Sequence, residues 1–95
     1  MKTYEIDFKD IKTYSGFYQT IIKSMDFPSW CGDNPSAIWD MITTDIEMPA
    51  IIYIKGLDSL SQELQQEKEL FIKIVNRTRE WYEKLGMHVE IRIED

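Results

Sequence analysis

Between Pro28 and Glu47 the chain gathers most of what could do chemistry. It holds Trp30, Trp39, Cys31 and Gly32, with the carboxylates Asp33, Asp40, Asp45 and Glu47 among them. Three kinds of chemistry can be asked of such a set. Paired carboxylates can run acid–base hydrolysis. A thiol just ahead of a helix N-terminus can serve as a nucleophile or redox centre. An acidic surface edged by tryptophan can dock onto a basic protein.

The first two readings find little support. Trp30-Cys31-Gly32 looks like the opening of the thioredoxin motif, but the second cysteine of that motif, three residues on, is Asn34 here. The strand that should lead into it is replaced by a helix and loop. A thiol enzyme would need a depressed Cys31 pKa and a base, and the single histidine, His88, lies at the entry to the last strand. The plainer expectation is an exposed or half-buried loop thiol. A helix face on a small sheet offers little of the deep cleft that hydrolysis by Asp40, Asp45 and Glu47 requires. The acidic cluster follows no metal-loop pattern, and the four glycines are scattered rather than set in a phosphate-binding motif. No catalytic residue, metal or cofactor is expected. Docking remains.

The elements that must position this stretch can be read on either side of it. Asn34 is a favoured N-cap, and Pro35 suits the first helical position, where its missing N–H costs nothing. Ala37, Ile38, Met41 and Ile42 follow at helical spacing and predict a helix to about Glu47. Ser36, Asp40, Thr43 and Glu47 then share its outer side, with Trp39 on the flank. Upstream, Tyr4, Ile6 and Phe8 alternate with charged residues as a strand. Phe17, Ile21 and Met25 recur every four residues as a helix that starts around Ser15 and stops before Pro28. Downstream, Ala50-Ile51-Ile52-Tyr53-Ile54 reads as a central strand covered on both faces. Asp58 or Ser59 can cap the next helical segment, and Ser59 with Gln62 fits a capping box. The helical span from Ser59 to Leu85 is long, and the polar run Gln65–Glu69 predicts a break in it. Gly86 is a left-handed stop, and Val89, Ile91 and Ile93 alternate as a last strand. The order β-α-α-β-α-β predicts an α/β fold, a small three-stranded parallel sheet with helices packed on it.

Length and charge narrow the partners. Ninety-five residues make one expected domain, with a core that needs no staple. Eleven Lys and Arg against seventeen Asp and Glu give a net charge of −6, which repels phosphate backbones and favours a basic partner. Many acidic proteins carry such charge for solubility alone. One cysteine excludes an internal disulfide. No apolar run approaches the roughly 20 residues that span a bilayer, and the N-terminus lacks a signal-like segment. The expected location is the cytoplasm.

At the central stretch the residues resemble a known family. Pro28, Trp30, Gly32, Asp33, Asn34, Ala37, Ile38, Trp39 and Asp40 stand at the spacing typical of the barstar family of small acidic ribonuclease inhibitors. Gln19-Thr20, Pro49-Ala50-Ile51-Ile52 and Gly86 extend the similarity nearly end to end. The resemblance implies a barstar-like fold and an inhibitor that lays its second helix and the preceding loop into a basic nuclease active site. It implies that Asp40 occupies a phosphate site as the dominant acidic contact, with Trp39 beside it and Trp30 as an aromatic anchor. Three positions depart from the family. Ser36 replaces a helix carboxylate, Trp81 aligns with a late glutamate that here has Glu80 as its neighbour, and Asp45-Ile46 replaces a tryptophan-valine pair.

The expected binding surface therefore comprises Trp30, Gly32, Asp33, Asn34, Ser36, Trp39, Asp40, Thr43, Thr44, Asp45 and Glu47, with Glu80 from the late helix. Each has a plainer role to set against this one. Asp40 could be a solvated helix residue, Trp39 half-buried core, Trp30 a loop plug, and Asp33-Asn34 a capping pair. The expected partner is a basic protein toxin, a ribonuclease or other nuclease domain, bound 1:1 by a monomer. No direct nucleic acid or membrane contact is expected. The alternative is a non-inhibitory binding or regulatory module for a basic protein that is not a nuclease.

Overall fold

Tyr4, Ile6 and Phe8 are buried to 3% exposure or less while Glu5, Asp7 and Lys9 face solvent. That alternation fixes the first strand, β1 (Lys2–Asp7), against the helical layer. The computed structural model describes residues 1–94. Beyond β1, its elements are α1 (Tyr14–Ser24), α2 (Pro35–Thr44), β2 (Ala50–Lys55), α3 (Gln65–Lys84) and β3 (Val89–Glu94). Two short 3-10 turns, Leu57–Ser59 and Gln62–Leu64, stand between β2 and α3.

The strands form one parallel sheet in the order β1-β2-β3, with Tyr4, Ile52 and Ile91 in register. Each crossover moves one place in the same direction. Right-handed connections therefore carry all three helices over one face of the sheet. Tyr4, Ile6, Ala50, Ile52, Ile54 and Ile91 are buried beneath them. This corrects the expectation that β2 is covered on both faces. Its alternate residues Ile51, Tyr53 and Lys55 are only half-buried. On that open face Lys55 pairs with Glu5 at 2.6 Å and Arg92 with Glu90 at 2.9 Å.

The core joins the sheet to two helices through three phenylalanines. Phe8 stacks on Phe17 with ring centroids 4.8 Å apart, and Phe71 meets both edge-on at 5.7 and 6.1 Å. Burying each such ring contributes about 1.5–3 kcal/mol before its loss of freedom is counted. Gly56 ends β2 at φ 78°, and a Cβ there would lie 2.8 Å from the Lys9 backbone nitrogen. Only glycine lets the chain turn so close to the end of β1.

Several boundaries differ from those predicted. Thr13, not Ser15, caps α1, its hydroxyl accepting from the Gly16 N–H at 2.9 Å. The helix stops at Ser24, before any effect of Pro28, because Asp26 turns left-handed at φ 57° and Phe27 N–H donates back to the Ile22 carbonyl at 3.0 Å. No capping box forms at Ser59, whose hydroxyl donates to the Gly56 carbonyl inside the first 3-10 turn. The break in the long helical span lies there too. Buried Leu57, Leu60 and Leu64 draw the 3-10 segment onto the core, and the polar run Gln65–Glu69 opens α3 as an unbroken helix. Gly86, at φ 70°, is the left-handed stop predicted after α3.

Candidate protein-docking site

The loop leading into α2 is fixed from both sides. Cys31 N–H donates to the Pro28 carbonyl at 3.0 Å, closing a turn that leaves Trp30 at its tip, 75% exposed. The Asp33 carboxylate accepts from the Gln19 side-chain amide of α1 at 2.8 Å. Asn34 caps α2 as predicted, its side-chain oxygen accepting from Ala37 N–H at 2.8 Å. At Gly32 a Cβ would sit 2.8 Å from the Asn34 side-chain nitrogen, so a side chain there would push on the cap. Asp33, Asn34 and Gly32 thus all have structural duties in holding the loop.

Cys31 is buried, at 6% exposure, against the expectation of an exposed or half-buried thiol. Its Sγ–H points to the Gly32 carbonyl at 3.7 Å. Burial, and secondarily the Asp33 charge, push the thiol pKa up. A raised thiol pKa is the reverse of the depressed one that a thiol enzyme requires. His88 stands exposed in the turn before β3.

Along α2, Ile38 and Ile42 are buried and Ser36, Asp40 and Thr44 are exposed. The Asp40 carboxylate makes no ion pair or hydrogen bond among the described residues. Trp39 is half-buried on the flank and is gripped by α3. The Arg77 guanidinium lies 4.3 Å over its ring, and Trp81 meets it edge-on at 6.2 Å. Within the last turn of α2 the Thr43 hydroxyl donates to the Trp39 carbonyl at 2.8 Å and the Thr44 hydroxyl to the Asp40 carbonyl at 2.6 Å. Buried Tyr82 reaches from α3 to donate to the Ile42 carbonyl at 2.6 Å.

The helix stops at Thr44, with Asp45 as C-cap, rather than running to Glu47. Glu47 therefore leaves the stripe of Ser36, Asp40 and Thr43, and its backbone N–H donates to the Tyr4 hydroxyl at 3.1 Å. Asp45 and Glu47 are exposed at the negative end of the helix dipole, with no basic residue in the last turn. Acidic side chains there oppose helix stability and deepen a local negative potential.

Ser36, Trp39 and Asp40 are brought together with Pro35 on one wall of a groove of about 370 Å³. Its other wall is α3, with Leu70 and Ile74 as floor and Lys73 and Arg77 as lip. Glu80 lies in a smaller depression beside it, lined by Trp39, Arg77, Trp81 and Lys84. Lys73, Arg77 and Trp81 were absent from the surface read off the sequence. Their signal was there as spacing: residues 73, 77, 81 and 84 recur along one stripe of α3. Among the described residues no three His, Cys, Asp or Glu side chains converge to hold a metal ion, and no helix is long and apolar enough to cross a membrane.

Fold and site define a small α/β protein that lays three helices on one face of a parallel sheet and turns the second of them outward. A family model described as Barstar (barnase inhibitor) matches residues 1–94, and the chain belongs to that family. It is also similar to the "Putative ribonuclease inhibitor YrdF" of Bacillus subtilis (strain 168). The two are 21% identical over 80 residues, which span 84% of this chain and 88% of that protein. The resemblance drawn from the Pro28–Asp40 pattern holds at the level of the family.

Proposed function

We propose that the protein is a stoichiometric inhibitor, of the immunity or antitoxin kind, that plugs the basic active site of a nuclease toxin. A ribonuclease is favoured as target, bound 1:1 by a single-domain monomer acting in the cytoplasm without catalysis of its own. The observation that carries this reading, beside family membership, is the unpaired and exposed Asp40 carboxylate on a helix whose backbone is tied down at both ends. A carboxylate so held can occupy a phosphate site and take charge-assisted hydrogen bonds from Arg or Lys at little ordering cost. Trp39 and Trp30 supply contact area. Asp45 and Glu47 add negative potential that speeds encounter and can stand in for the carboxylate missing at Ser36.

The test is capture from the source cell with tagged wild-type protein, run beside Asp40→Ala and Trp39→Ala, followed by nuclease assay of what is retained. The expected result is one basic nuclease, inhibited at a 1:1 ratio and released by Asp40→Ala. Equal capture by all three baits, or capture of a partner with no nuclease activity, would sink the reading. The second outcome belongs to the alternative, a non-inhibitory module for another basic protein. Ser36 at a position where the family carries a carboxylate is the observation in its favour.

A further inference from the structure

The α2–α3 groove sets charges of both signs along an apolar floor. The chain carries a net charge of −6, yet the α3 lip of the groove presents two cations, Lys73 and Arg77, that make no salt bridge among the described residues. Of the other cations, Lys2, Lys55, Lys68 and Arg92 each have a carboxylate within 4.0 Å, while Lys9, Lys12, Lys23, Arg79 and Lys84 have none among the described residues, so what sets Lys73 and Arg77 apart is their place on the groove. Lys73 and Arg77 stand one helical turn apart, so both point along the same face of α3. Arg77 is also pre-positioned. Its guanidinium carbon lies 4.3 Å over the Trp39 ring, and the group makes no hydrogen bond or ion pair among the described residues, so its N–H donors remain available to a carboxylate.

Between the lips the floor is apolar: Ile74 is 7% exposed, Leu70 half-buried, and Pro35 and Trp39 close the α2 side. The volume, about 370 Å³, stands at the small end of ligand sites, which run from roughly 300 to 1,000 Å³, and suits one or two side chains. Asp40 on the opposite lip and the overall negative charge disfavour a polyanion such as nucleic acid. A purely basic surface would in turn meet Lys73 and Arg77 with repulsion. The occupant that satisfies both lips carries both signs.

We infer that the groove receives a protein segment of the partner that presents a carboxylate beside an apolar side chain. Arg77 and Lys73 take the carboxylate, Leu70, Ile74 and Pro35 hold the apolar group, and Asp40 remains for a neighbouring base. This rests on the reading of α2 as the docking helix. It adds that the partner's rim is acidic where it meets α3, which a partner with a uniformly basic face would not be.

The experiment is a titration of the ¹⁵N-labelled full chain, followed by NMR, with the blocked peptide Gly-Glu-Phe-Gly. Its controls are the same peptide with Lys for Glu, and inorganic phosphate. The expected result is a saturable shift of the Trp39 indole N–H and of the amides from Leu70 to Arg77 with the Glu peptide alone. In the Lys73→Gln/Arg77→Gln variant, shown folded by unchanged amide signals away from α2 and α3, binding weakens by at least about tenfold, the loss of at least one charge-assisted contact. Arg77→Met is a second variant that keeps apolar bulk over Trp39 and should weaken binding in the same sense. Equal shifts with the Lys peptide, shifts with phosphate but not peptide, or no shift at millimolar peptide would each overturn the inference. No nuclease enters this readout, so its failure leaves the inhibitor reading standing, and the reverse is also true.

Discussion

The Tyr82 hydroxyl of α3 donates to the Ile42 carbonyl of α2 at 2.6 Å, in a buried setting. Ile42 lies in the last turn of α2, where carbonyls run out of intrahelical partners. Its neighbour Met41 is satisfied by the Asp45 N–H at 2.7 Å. Ile42 is capped instead from across the fold. One bond thus both closes α2 and fixes its distance from α3.

Tyr82→Phe removes that donor and leaves a buried carbonyl unpaired. The expected cost is about 1–2 kcal/mol of unfolding free energy, with an unchanged urea m-value. Partner binding should fall as well, because the Asp40 end of α2 loses its tether. A variant as stable as the wild type would remove Tyr82 from this role.

The same tyrosine predicts an alkaline weakness. Burial, and secondarily Tyr4, push the Tyr82 pKa up, and burial does the same to Tyr18, helped by Tyr14 and Glu67. An unfolded tyrosine ionises near 10. For the tyrosines, both states keep their protons below that pH. Above it the unfolded chain releases protons that the native state holds, so stability falls as pH rises, by up to about 1.4 kcal/mol per tyrosine per pH unit. From pH 8 to 11 urea midpoints should decline, first through Cys31, whose buried thiol is also pushed up, and more steeply beyond about 10 through the tyrosines, with a shallower second decline in Tyr82→Phe. Parallel declines in the two proteins would show that Tyr82 plays no part.

What could be read in the sequence was whatever is decided within one turn of chain. Asn34-Pro35 names a helix start because cap and first position are satisfied by adjacent atoms, and Gly86 names a stop because its φ is a local need. Most of what failed was decided by distant packing, the α1 cap at Thr13 rather than Ser15 being a local exception. Ala50–Ile54 looks buried on both sides, but strand order, which nothing local encodes, puts every helix over one face and leaves Ile51 and Tyr53 half-open. The polar run Gln65–Glu69 looks like a break, yet it is the opening turn of a new helix. The turn before it is set by Leu57, Leu60 and Leu64 reaching the core. At the site, Trp39 and Asp40 were legible from their motif. Arg77, Lys73 and Trp81 formed a visible stripe, but only the packing of α3 on α2 says which neighbour that stripe meets.

Cys31 should be a slow thiol. It is 6% exposed, its pKa is pushed up by burial, and its Sγ–H is directed at the Gly32 carbonyl. Alkylation by iodoacetamide at neutral pH is expected to run slower than that of free cysteine, since burial both lowers the thiolate fraction and blocks approach to the sulfur. A rate equal to free cysteine or faster would mean that the loop opens or that the thiol is activated after all.

Trp30 separates contact from packing more cleanly than any other residue of the surface. At 75% exposure it contributes little to the core, so Trp30→Ala should change stability by less than about 0.5 kcal/mol. Its loop is nevertheless held, by the turn from Cys31 to Pro28 on one side and by the Asp33–Gln19 bond on the other. A large aromatic presented on a fixed loop loses little freedom when it docks, which is the condition for an anchor. The expected loss of affinity for the captured partner is about 2 kcal/mol, carried by a faster off-rate and nearly independent of salt. Asp40→Ala should differ in kind, with an association rate that loses part of its salt dependence. Trp39→Ala should lower both affinity and stability, because Arg77 and Trp81 pack on it. If Trp30→Ala binds like the wild type while Asp40→Ala does not, the partner covers the helix and leaves the loop free. The docking face would then run from Asp40 toward α3 rather than toward Trp30.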